Sequence, residues 1–65
     1  MPVPKTTKGL LKLLIAIAED GVEVLADPKL TPQEHYAVGS MLAGLQNDLG
    51  DNTELLEKYN LKYNG

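Results

Sequence analysis

Between Thr7 and Ala26 the apolar residues recur with the 3.6-residue period of an α-helix. At 100° per residue, Lys8, Lys12, Ala16, Glu19 and Glu23 share one narrow face. Leu10, Leu14, Ile17, Gly21, Val24 and Leu25 lie opposite, flanked by Leu11, Ala18 and Val22. The phase holds across Gly21, so the pattern predicts a single helix over 7–26. Gly21 costs that helix about 1 kcal/mol relative to alanine. Its place within the apolar face suggests that a neighbouring backbone comes close there. The apolar sector is roughly 200° wide, about twice what one packing neighbour covers. The first helix therefore calls for two neighbours.

A second helical pattern follows a turn at Asp27-Pro28-Lys29-Leu30. Thr31-Pro32-Gln33-Glu34 combines a capping threonine, proline at the first helical position and glutamate three residues after the cap, the signature of a capping box. The helix is predicted over 32–49, with Val38, Met41, Leu42, Leu45 and Leu49 as its apolar stripe. Its other side carries Tyr36, Gly39, Ser40, Ala43, Gly44 and Asn47. Gly39 with Ala43, and Ser40 with Gly44, are small residues four apart, a spacing that lets another helix approach closely. Gly50 is predicted to stop this helix in the left-handed conformation. Asp51 or Asn52 then caps a third helix over 53–60, with Leu55, Leu56, Tyr59 and Leu61 inward. Residues 1–6, with two prolines, form an extended lead-in, Thr6 or Thr7 caps the first helix, and 61–65 are a frayed tail. The expected fold is an all-α single domain over 1–65: a helical hairpin plus a short third helix, packed as a homo-oligomeric bundle.

Composition narrows this further. The 65 residues contain no cysteine, tryptophan or phenylalanine, and three tyrosines. Disulfides and thiolate metal sites are excluded, so tight helix packing or association must stabilise so small a core. The net charge is −3, with six lysines and no arginine. Nucleic-acid readers carry a basic excess and rely on arginine, so no nucleic-acid partner is expected. Lys12 breaks the apolar run that would otherwise suggest a signal peptide. No stretch approaches the roughly 20 apolar residues that span a bilayer. No membrane partner is expected either, and a cytoplasmic protein is.

Motifs for chemistry are missing. There is no phosphate-binding glycine loop, zinc spacing or dinucleotide fingerprint. Asp48, Asp51 and Asn52 lack calcium-loop spacing and read as helix-terminus residues. His35 is the single histidine. It is expected half-buried at the edge of the hairpin seam, on a different face from Ser40. No catalytic residue, cofactor or metal ligand is therefore assigned.

What remains is surface. Lys5, Lys8 and Lys12 lead the first helix, and Glu19, Asp20, Glu23 and Asp27 trail it. This opposes the helix dipole but suits an antiparallel copy, so a symmetric dimer is expected through Leu10, Leu14, Ile17, Gly21 and Leu25. A protein partner is expected on Tyr36, Gly39, Ser40, Ala43, Gly44 and Asn47, or on Glu19 and Glu23. The expected function is a small non-enzymatic interaction module, an adaptor, assembly factor or inhibitor of the kind phages and mobile elements encode. The alternative is a binder of small ligands such as nucleotides, with sites between subunits built from His35, Tyr36, Asn47 or the tail tyrosines.

Overall fold

Thr6 opens the first helix, its side chain accepting the Gly9 amide at 3.0 Å. The computed structural model describes residues 3–65, so Met1 and Pro2 of the expected lead-in lie outside the described residues. Helix α1 spans Thr7–Asp20, α2 Pro32–Asp51 and α3 Thr53–Lys58, with a six-residue 3-10 helix, Gly21–Ala26, continuing α1.

That 3-10 segment corrects the single helix expected over 7–26. Gly21, Val22 and Val24 are weak helix formers, and helix ends often tighten to three residues per turn. Position 24 returns near position 21 under either repeat, so hydrophobic phase alone could not tell the two apart. In the tighter turn Val24 eclipses Gly21. Asp27 then ends the segment, its carboxylate accepting the Lys29 amide at 2.9 Å.

Helix α2 starts as expected. Thr31 Oγ1 accepts the Glu34 amide at 3.1 Å and Glu34 Oε1 accepts the Thr31 amide at 3.0 Å, closing the capping box. Its other end differs. Gly50 stays helical with no positive φ, and α2 runs on to Asp51. Asn52 caps neither α3 nor a turn with its side chain, because its Nδ2 donates to the Asp48 carbonyl at 2.7 Å. The left-handed residue lies instead at Asn60, with φ of 59°. There the Leu61 amide donates to the Leu56 carbonyl at 2.9 Å and the Asn60 amide to the Glu57 carbonyl at 3.0 Å. This pair of bonds is a Schellman motif, which usually carries an apolar contact across the turn.

The motif overturns the expected fraying of 61–65. It turns the chain back, and Leu61 and Tyr63 pack against the core. The Asn64 amide reaches Glu19 Oε2 at 3.2 Å. The core itself is aliphatic: Leu11, Ile15 and Ala18 of α1, Leu49 of α2 and Leu56 of α3, with Leu14, Leu45 and Tyr59 at its margin. Leu55 is not inward as expected but 41% exposed.

The two long segments run antiparallel. Gln46 lies beside Ala18, Leu42 beside Gly21 and Leu25 beside Gly39. In this register the core occupies the end where α1 begins and α2, α3 and the tail finish. The end around the 3-10 segment has no third helix over it. The whole is flat, with extents of 39 × 26 × 14 Å and a radius of gyration of 13.1 Å. A compact chain of this length would have about 11 Å.

Two outcomes test this description. Asn60→Val should cost about 1–2 kcal/mol in a urea titration, the cost of a left-handed backbone for a residue with a Cβ, whereas Asn60→Gly should retain or raise stability. The Glu34 carboxyl is held below its ordinary 4.5, chiefly by the Thr31 amide and then by the Thr31 hydroxyl. Its stabilisation is therefore complete at neutral pH and fades as the pH falls below about 4.5 and through the lowered value. Thermal melts across that range should show a smaller acid loss for Glu34→Gln than for the parent chain.

Candidate interaction surface

The hairpin register that builds the core at one end leaves a groove at the other. Ile17 of α1 with Gly21 and Val24 of the 3-10 segment form one wall. Val38, Met41, Leu42 and Leu45 of α2 form the other, around a hollow of about 320 Å³. Only Leu42 is buried among these, and Met41 is 74% exposed, Val24 58% and Ile17 45%.

Gly21 sets the depth. A Cβ there would stand 3.3 Å from Leu42 Cδ1, tighter than ordinary van der Waals contact. The expected close approach is thus real, but the neighbour is the Leu42 side chain rather than a backbone. One polar contact fixes the walls. Gln46 Nε2 donates to the Ala18 carbonyl at 3.0 Å, three residues before the pitch changes, and Gln46 is half-buried.

The residues expected at a self-association face divide. Ile17 and Gly21 lie in the groove. Leu14 turns toward the core, Leu25 is half-buried beside Gly39, and Leu10 is 45% exposed outside the groove lining. Val38, Met41 and Leu45 were read as the core-facing stripe of α2. Val38 and Met41 line the groove instead, because the core lies at the other end of the hairpin, and Leu45 stands between the two, at the core margin and in the groove lining.

The residues expected to meet a partner also divide. Gly39 packs within the chain against Leu25, while a Cβ at Gly44 would meet nothing within 4 Å. Ser40, Ala43 and Gly44 are exposed, as are Tyr36 and Glu23. Glu19 holds the tail through Asn64. His35 is exposed, not half-buried, since no element crosses the first turn of α2. Asn47 and Tyr63 share the rim of a polar hollow with Gln46, Asp51 and Thr53, away from Tyr36. Among the described residues no helix is long and apolar enough to cross a membrane.

If the Gln46 contact holds the walls, Gln46→Ala should cost about 1 kcal/mol, lowering the melting temperature by roughly 4–8 °C for a domain this small. An unchanged melt would make the contact incidental.

Comparison of this chain with protein-family models, with curated proteins and with solved structures finds no match.

Proposed function

We propose that the chain is a small non-enzymatic interaction module that self-associates, and that it works through its uncovered apolar surface. The observation that carries this reading is the amount of surface left open. The isolated chain exposes 5148 Å². A compact monomer of 7.1 kDa would expose about 4,100 Å². The excess, about 1,000 Å², is comparable with the roughly 800 Å² that each partner buries in a standard-sized interface.

The shape supports the same reading. The molecule is 14 Å thick in its shortest dimension, and at the end around the 3-10 segment the apolar residues of the two hairpin arms have a neighbour on one side only. Stable domains stack two layers around a core, and that end supplies one. The exposed large apolar residues include Leu10, Ile17, Val22, Val24, Val38 and Met41. Ile17, Val24, Val38 and Met41 of these line one groove, and contiguous apolar surface of this kind marks interaction sites on soluble proteins.

The adaptor, assembly-factor or inhibitor role follows from the same feature: binding surface is what the chain has to offer. Sedimentation velocity at micromolar concentration should give a species heavier than 7.1 kDa, with the light-scattering mass rising with concentration. A monomer at all concentrations up to the millimolar range would overturn self-association.

A further inference from the structure

We infer that the groove between α1, the 3-10 segment and α2 is the self-association site, and that its occupant is α2 of a second copy. This rests on the self-association proposed above and adds which surface is buried, by what, and about which residue. The two hairpins would then pair about a twofold axis as a four-helix arrangement, each α2 lying in the other copy's groove.

A twofold interface must be complementary to itself, since the same patch serves on both sides. This patch holds both parts of such a fit. Met41 stands out from α2, 74% exposed. On the opposite wall Gly21 takes up Leu42 of the same chain, and Ile17 and Val24 stand beside that contact over the open hollow. A methionine side chain is flexible enough to fill an irregular hollow. The faces around Met41 admit a second helix, because Ala37 and Gly44 are small, exposed neighbours on α2 at helical spacing, and a Cβ at Gly44 would meet nothing within 4 Å.

The area argument selects a second copy over a smaller occupant. The groove alone is short, and a single peptide helix lying in it would leave the peptide's own far side exposed. Two hairpins face to face cover both grooves at once and convert two single layers into a two-layer bundle. The surface by which this chain exceeds a compact monomer is that of the whole molecule and not of the groove alone, and it is of the order that each partner of a standard interface buries, about 800 Å². The alternative expected from sequence, α1 crossing α1 through Leu10, Leu14, Ile17, Gly21 and Leu25, has less to bury, because Leu14 is already packed on the core and Gly21 and Leu25 are half-buried within the chain.

The chain has no cysteine, so single-cysteine variants report proximity directly. Met41→Cys in the full chain should form a disulfide-linked or short-reagent cross-linked dimer in high yield. Ala16→Cys, on the exposed far side of α1, should not. Met41→Lys should sediment as a monomer at concentrations where the parent chain is a dimer. Its far-ultraviolet helical signal should stay unchanged, because Met41 is exposed within the single chain. A parent dimer with an undiminished Met41→Lys dimer, or with cross-linking stronger at Ala16→Cys, would overturn the groove assignment and leave self-association standing. A parent chain that is monomeric throughout would overturn both. A monomer that becomes protected at Met41 only on adding a basic amphipathic helical peptide would give the groove to a different occupant and overturn the second-copy assignment.

Discussion

The packing of Leu56 with Ala18 and Leu49 is the contact on which the rest of the structure depends. These are the most deeply buried side chains in the protein, and they come from three different helices. Ala18 is small enough to let side chains from α2 and α3 meet over α1. Leu56 is also where the Schellman turn closes, since its carbonyl accepts the Leu61 amide. One residue thus anchors α3 and directs the tail back over the same cluster. Burying a leucine is worth roughly 1.5–3 kcal/mol, a large share of what a chain of 65 residues can hold in reserve.

Concentrating the core at one end has a consequence at the other. Helix α3 and the tail cover one end of the hairpin, and among the described residues no further helix lies over the end around the 3-10 segment. The apolar residues there are not fewer, only uncovered. Gly21 and Leu42 nest against each other, while Ile17, Val24, Val38 and Met41 line an open groove. Exposed apolar surface is costly in water and favours whatever removes it. The flatness of the molecule and its groove are therefore two views of the same one-ended packing.

Most of the polar side-chain contacts are local and fix a boundary. The capping box sets where α2 begins, Asp27 shapes the turn before it, and Asn52 closes its far end. Two reach across the fold: Gln46 to the Ala18 carbonyl and the Asn64 amide to Glu19. Both tie α1 to elements that pack on it, one from α2 and one from the tail.

Much of this was legible in the sequence. The helix count, the antiparallel hairpin, the start of α2 at Thr31-Pro32 and the excess apolar width of α1 follow from periodicity and capping chemistry, which act over four residues or fewer. The pitch change at Gly21 was not legible, because over one turn the two helical repeats diverge by only about 60°, well inside the apolar sector of this segment. Asn60 could have been found as a left-handed helix stop, since asparagine tolerates that conformation next after glycine, but Gly50 competed for the role. Which apolar residues are core and which line the groove lay beyond local reasoning altogether. Leu49 and Met41 belong to one stripe of one helix, yet one is 4% exposed and the other 74%. Sequence determined that both would face the same side of α2. Only the tertiary structure decided that α3 and the tail pack over Leu49 and not over Met41, because burial depends on where distant segments come to lie, and that is set by the packing of the whole.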